Sequence, residues 1–462
     1  MSTLHVFAIG GTGSRVLRSL TMLLATGVKC DQTIHPIIID PDHSNEDVSR
    51  TSLLIKDYCK LRTGLQLDSS TKVKFFSTNI DTDGDLRMPI ENTSDRRFRD
   101  YIRVSSMPYE SRALMHGLFS DDDLNSTMEV GFEGHPNRGS MVLNQIASTQ
   151  AFKSFANSFK QDDSILIVSS IFGGTGASGF PLLLKLLREN NDIPNHKLIK
   201  EASIGAITVL PYFKVKNDND SPIDSATFIS KARSALQYYR RTMSNGTALQ
   251  CLYYIGDQTA HQYENHKGGQ EQRNNAHFVE LASALAVVDF ANKKPSAAFK
   301  EFGIKDKVDR IIFSNLGDET RNQIKVPMTQ WTLLYHLFTK HYDDMKRQSY
   351  VRDYGDNFLS ENWVQTFKSM LGKYNEWLEE LAANQVSFAP FKLSNDVSLT
   401  KDPLDIVNGV KHHRLRIGKT GFNHFDDRIT KQVSSSHSNI QIFADKLYLA
   451  TKEIVDKDYV GL

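Results

Sequence analysis

The chain has 462 residues, more than one core usually fills, so two domains, or one domain with a large appendage, are expected. Its 55 basic and 54 acidic residues leave a formal net charge of +1, which excludes bulk attraction to nucleic acid or to acidic membranes. Cys30, Cys59 and Cys251 are too few and too scattered for a disulfide framework or a cysteine metal site. With no basic leader and no apolar run near the ~20 residues that span a bilayer, the expected setting is a reducing cytoplasm, with no membrane partner.

The first half alternates strands and helices, the pattern of a parallel sheet covered on both faces, so the fold class is α/β. His5 to Ile9 reads as a strand that runs into Gly10-Gly11-Thr12-Gly13-Ser14, and Ser14 to Leu24 reads as a helix. Pro36 to Ile39 is a second strand ending at Asp40-Pro41-Asp42, and Val73 to Phe76 is a short third one. Residues 80 to 130 are polar and mixed and take no assignment. Ser140 to Phe159 reads as one helix that feeds a strong strand, Ser164 to Ser169. That strand leads into Phe172-Gly173-Gly174-Thr175-Gly176-Ala177-Ser178-Gly179, after which Phe180 to Leu187 is apolar nearly all round and marks a buried helix.

A strand at 203 to 210, a helix at 225 to 243 and a strand at 250 to 255 follow. Then come a polar loop at 261 to 275, a core helix over about 275 to 291, and a last strand at Arg310 to Ser314. Residues 1–320 therefore read as the α/β domain. Residues 321–462 read as a mainly helical region, with segments at about 328 to 347, 359 to 384 and 438 to 456.

Both glycine runs stand between an apolar strand and a helix. Such a turn presents bare backbone N–H groups and the positive end of the helix dipole, which together cradle a phosphate. The candidate contacts are Gly11, Thr12, Gly13 and Ser14 in the first run and Gly173, Gly174, Thr175, Gly176 and Ser178 in the second. Two runs point to a polyphosphate held from two sides, and Ser14 also stands where it would cap the first helix. Asp40 and Asp42 end the second strand, where an acid binds ribose hydroxyls in a dinucleotide fold or holds magnesium through water in a nucleotide triphosphatase. Position alone does not choose between these. Val16 stands where a dinucleotide fingerprint needs its third glycine, and neither run contains Gly-Lys-Ser/Thr, which excludes the ordinary P-loop class.

A third element, Gly131-Phe132-Glu133-Gly134-His135-Pro136-Asn137-Arg138-Gly139, precedes the helix that leads to the second run. With it the chain resembles the tubulin and FtsZ superfamily, in particular its divergent prokaryotic members. That family shows a glycine loop after strand one, an Asn-x-Asp-like turn after strand two, a Gly-x-Asn-Pro-x-x-Gly loop, and the signature Gly-Gly-Gly-Thr-Gly-Ser/Thr-Gly, in the order met over about residues 5 to 330 of this chain. The resemblance implies a mostly parallel, Rossmann-like sheet of the tubulin/FtsZ GTPase type, with GTP or GDP and Mg2+ as cofactors. It implies phosphate contacts from Gly11, Thr12, Gly13, Ser14, Gly173, Gly174, Thr175, Gly176 and Ser178. Asp40 and Asp42 would lie near the phosphates and the metal, Asp42 reaching it through water. Gly134, Arg138 and Gly139 would frame the loop that senses the terminal phosphate, and Asn274 or Asn275 would bond the guanine edge. Phe172 departs from the signature's first glycine, and Ala177 intervenes before Ser178.

Val288-Asp289-Phe290-Ala291-Asn292 looks like the family's Val-Asp-Phe-Ala-Asp, whose acids polarise the attacking water in the next subunit of a filament. This makes Asp289 the catalytic candidate, although Asn292 replaces the second acid and an amide is no base. The resemblance implies a GTP-binding protein whose nucleotide controls self-assembly or association with another protein, with hydrolysis tied to assembly. A second reading is a nucleotide-binding scaffold or sensor subunit of a prokaryotic complex, such as one for conflict or defence, that forms no filament. A third is an NAD-dependent Rossmann oxidoreductase using Asp40 for ribose; the missing third glycine and the second phosphate loop count against it.

Overall fold

The computed structural model describes residues 2–42, 44–82, 86–88, 90, 93, 96–128, 132, 135–215, 226–243, 248–257, 261–263, 273–292, 304, 308–393, 404–412 and 421–460. Strand β1 (Thr3–Ile9) runs without a break into helix α1 (Gly10–Thr26), followed by β2 (Thr33–Ile39) and α2 (Glu46–Leu65). Helices α3 (Pro136–Leu143) and α4 (Gln150–Ser158) lead to β3 (Ser164–Ser170) and α5 (Gly174–Glu189). Then come β4 (Ser203–Val209), α6 (Ala226–Met243), β5 (Cys251–Ile255) and the core helix α7 (Phe278–Asn292). Helices α8 (Asp318–Lys340), α9 (Asn362–Ala382), α10 (Phe422–Lys431) and α11 (Asn439–Asp458) make the C-terminal region mainly helical.

The main sheet has five strands in the order β2-β1-β3-β4-β5, and every neighbouring pair is parallel. Its central strand β3, SILIVSS, is buried along its whole length, because helices cover both faces and leave no polar side to alternate with. Phe7 and Ile9 point to one face, where Phe7 meets Phe155 of α4 edge-on at 4.9 Å and Ile9 lies against Gly179 of α5. Gly205 points to the other face, and a side chain there would collide with Phe290 of α7. Gly13 sits directly on Ala8, so α1 shares the α7 face. The carboxyl ends of β1 and β3 thus deliver α1 and α5 from neighbouring strands onto opposite faces of one sheet edge.

The C-terminal helices pack onto the α/β layer. Trp331 of α8 is fully buried among Phe75, Phe76, Phe367 and Tyr374, with ring centroids 5.5–5.9 Å apart. Trp363 donates to the carbonyl of Leu61 at 2.9 Å and Trp377 to Ser19 Oγ at 3.2 Å, which ties α9 to α2 and α1. The domain boundary expected near 320 falls just inside α8, which begins at Asp318.

Four sequence expectations are corrected. The loop expected at 261 to 275 opens on a short strand, His261–Tyr263, which pairs in parallel with Phe213–Val215. Val73 to Phe76 forms no strand: the amides of Lys72 and Val73 donate to Asp445 Oδ1, both at 2.8 Å, and Phe76 turns to φ 56°. Ser140 to Phe159 is not one helix but α3, a 3-10 turn at Ile146–Ser148, and α4, which is restarted by Thr149 accepting from Phe152 N. Arg310 to Ser314 pairs only over Arg310–Ile311, because the chain then coils into a 3-10 turn at Phe313–Asn315.

Candidate phosphate site between two glycine helix starts

Gly10, Gly11 and Gly13 lie in the first turn of α1, and Gly174 and Gly176 in that of α5, with Gly173 at its N-cap. Gly10, at φ 74°, makes the sharp exit from β1 that a residue with a side chain resists. The helix starting there corrects the expectation for Ser14: its Oγ lies within α1, donates back to Gly10 O at 3.2 Å and caps nothing. Ser178 repeats the arrangement in α5, donating to Gly174 O at 2.7 Å. Neither helix has a side-chain cap, and neither has an acid in its first turn. By contrast, α2 opens on the Asn45 cap with Glu46 and Asp47, and α11 opens on a Ser438 capping box. Each start of α1 and α5 therefore keeps unsatisfied N–H groups and the positive dipole end.

The two starts meet. A Cβ on Gly10 would lie 3.5 Å from Thr175 Cβ and 3.9 Å from the Gly176 nitrogen. Gly139 of α3 crosses α5 so closely that its Cβ would collide with Ser178 Oγ and Phe132. The third loop's helix therefore arrives at the same edge, and Gly134 lies outside the described residues. Gly11, Gly173 and Thr175 remain half-exposed, so the junction opens to solvent. Near the carboxyl end of the sheet the hydroxyls of Ser169 and Thr208, register partners on β3 and β4, are buried with no hydrogen-bond partner. Two uncapped glycine helix starts that meet at a solvent-open junction fit a phosphate chain.

The other candidates are distributed differently. Asp40 Oδ1 accepts from Asp42 N at 3.0 Å and its Oδ2 from Asn45 Nδ2 at 3.2 Å, while Asp42 Oδ1 accepts from Ser44, so these carboxylates build the turn into α2. Burial pushes the Asp40 carboxyl up to about 7. Among the described residues no three His, Cys, Asp or Glu side chains are grouped to hold a metal. Arg138 is buried and donates to Phe132 O at 2.9 Å and to Ser126 Oγ, with Asp123 at 3.9 Å. Phe172, where the signature has glycine, packs against Tyr212, Phe213 and Phe228 at 5.1–6.1 Å.

Asn274 is joined to α2: its N and Nδ2 donate to Asp47 at 3.2 and 3.4 Å, and its carbonyl accepts from Arg50 at 2.9 Å. Asn275 beside it is exposed. Asp289 is not brought to the glycine runs. It stands near the far end of α7 and accepts from Tyr253 OH at 2.8 Å. Asn292 closes that end, with Nδ2 donating to Lys29 O and Oδ1 accepting from Asp31 N, each at 2.9 Å. Position 292 thus needs both a donor and an acceptor, which an amide supplies and a carboxylate does not.

Sequence reasoning missed a buried charge cluster under the site. Arg15 of α1 donates to Glu280 at 2.5 Å, to Asp47 at 2.8 Å and to Thr12 Oγ1 at 3.3 Å, while Tyr212 OH donates to Glu280 at 2.6 Å. Burial alone lowers an arginine's pKa, but Tyr212, Glu280 and Asp47 hold Arg15 charged well above its ordinary value. Arg18, one turn on, pairs with Glu380 of α9. The only signal was two arginines at i and i+3 on an otherwise apolar helix.

No protein-family model matches the chain, and no curated protein matches its sequence. Solved structures that it resembles include the GTPγS-bound protofilament of CetZ2 from Haloferax volcanii, at 13% identity and a TM-score of 0.30, covering 63% of this chain and 58% of that one. A GTPγS-form protofilament of Bacillus thuringiensis serovar israelensis TubZ follows at 14% identity and a TM-score of 0.26, over 62% of this chain and 55% of that one. The two-stranded helical filament of TubZ-Bt gives 15% and 0.23, over 62% and 52%. The chain therefore spans just over half the length of these structures.

Proposed function

We propose that this chain binds a guanine nucleotide, with Mg2+ held chiefly by the phosphates and water, and that nucleotide occupancy controls its association with itself or with another protein. The observation that carries this reading is the meeting of two uncapped, acid-free helix starts at Gly10 and Thr175. Two dipole ends and two sets of free amides converging on one spot favour a ligand with several negative charges, and a triphosphate supplies them. The ordered resemblance to the tubulin and FtsZ superfamily selects guanine, and the protofilament neighbours are in keeping with assembly. Residues 1–320 would carry the nucleotide, and 321–462 would form a helical cover.

The engagement of Asp289 by Tyr253, and of Asn292 by Lys29 and Asp31, favours the second reading: nucleotide binding without filament-linked turnover. Mass spectrometry of nucleotide released from the gently purified chain tests the main proposal. GTP or GDP is expected, and NAD would overturn it. Light scattering and turnover measured against protein concentration separate the two readings. An assembly GTPase turns over faster per chain as concentration rises and loses this in Asp289→Ala; a scaffold shows neither behaviour.

A further inference from the structure

We propose that Glu380, at the C-terminal end of α9, is a positioning residue for the nucleotide site, so that the site is complete only with the C-terminal helices docked. This rests on the nucleotide reading above. The Glu380 carboxylate is buried and accepts four hydrogen bonds from three elements. Arg18 of α1 donates to it at 2.5 and 3.2 Å, Arg50 of α2 at 3.1 Å, and the backbone amide of Ala276 at 2.8 Å. Against the cost of burial, Arg18, Arg50 and that amide hold the carboxyl below its usual range.

The contact reaches α1, one wall of the proposed phosphate site, and the segment that carries Asn274, the candidate for the guanine edge. Arg18 lies two turns into the helix that the first glycine run opens. Ala276 lies between Asn274 and the start of α7, and Asn384, just past α9, donates to its carbonyl at 2.7 Å. The end of α9 therefore bonds both the N–H and the C=O of Ala276. Charge explains why Glu380 cannot be spared. Arg15, Arg18 and Arg50 face Asp47, Glu280 and Glu380, three cations against three anions. Removing Glu380 leaves Arg18 without its acid in the interior, and the interior relaxes by moving α1 or by letting water in. Arg50, which also holds the Asn274 carbonyl, loses one of its two acids.

The test uses the full chain with Glu380→Gln and, as a milder lesion, Asn384→Ala. Amide exchange is followed in the nucleotide-free protein, and affinity is read with a fluorescent GTP analogue. Exchange over residues 10–18 and 273–277 should quicken by about tenfold or more, and affinity should fall by a similar factor, the scale of one charged hydrogen-bond partner. Exchange in α8 and α11 should stay at wild-type levels. Changes confined to residues 376–384, or faster exchange with unaltered affinity, would overturn the proposal. If Glu380→Gln does not fold, Asn384→Ala decides by the same criteria. A wild-type chain that binds no GTP analogue would sink the nucleotide reading instead, and the exchange pattern would still decide whether Glu380 orders the two segments.

Discussion

Gly176→Ala is the sharpest probe of the α5 start. A Cβ there would lie 2.6 Å from the Ser170 carbonyl oxygen, 2.9 Å from its nitrogen and 3.0 Å from its Oγ. Ser170 is held in register with Val209 of β4 and its backbone has little room to step aside, so α5 must retreat by roughly 0.8 Å to reach ordinary contact. Such overpacking costs about 1–3 kcal/mol, or roughly 1–3 °C in Tm for a chain of 462 residues. The retreat also carries the free amides of α5 away from α1, so affinity for a GTP analogue should fall about tenfold or more, the scale of one charged hydrogen bond. Gly372→Ala is the matched control: it lies inside α9 with nothing within 4 Å of its Cβ and should stabilise by about 0.5–1 kcal/mol while leaving affinity alone. Thermal denaturation and fluorescence titration of both variants decide. A Gly176→Ala protein with wild-type Tm and affinity would show that α5 does not press on β3 as described.

Two further predictions concern single carboxylates. Asp445 of α11 is fully buried and accepts from Lys72 N, Val73 N, Ser434 Oγ and Ser436 Oγ at 2.7–2.8 Å. Asp445→Ala should therefore cost about 3–5 kcal/mol in urea unfolding, and a loss under 1 kcal/mol would refute its role as the tie between α11 and the 72–73 segment. For Asp40, raised to about 7 by burial, the folded chain keeps a proton between about pH 4 and 7 that the unfolded chain has released. Its contribution to stability is thus greatest below about pH 4 and falls as pH rises toward 7. The stability lost between pH 5 and pH 8 should be smaller in Asp40→Asn than in the wild type, and an equal loss would contradict this assignment.

The strand–glycine–helix units were readable from sequence because their signals are local: apolar runs, then residues that permit a sharp exit, then helical periodicity. Elements shaped by distant partners were not. Val73 to Phe76 carries the residues of a strand, yet Asp445 captures its amides from a helix more than 300 positions away. The candidate site divides the same way. Gly10, Gly139 and Gly176 declare themselves by lacking a side chain, and each permits a close approach. Arg138 has a charge suited to phosphate but faces Asp123 and Ser126, and Arg15 is buried among acids from α2 and α7 that no spacing rule connects. Strand-to-helix units can be placed from local sequence, although α1 and α5 begin earlier than their apolar periodicity suggests, but which acid meets which arginine is decided by packing.

A structure of the full chain with GTPγS and Mg2+ tests the central claim most directly. The account predicts the phosphate chain within hydrogen-bond distance of the first-turn amides of both α1 and α5, between Gly10 and Thr175. A nucleotide seated elsewhere, or touching only one of the two helix starts, would contradict it.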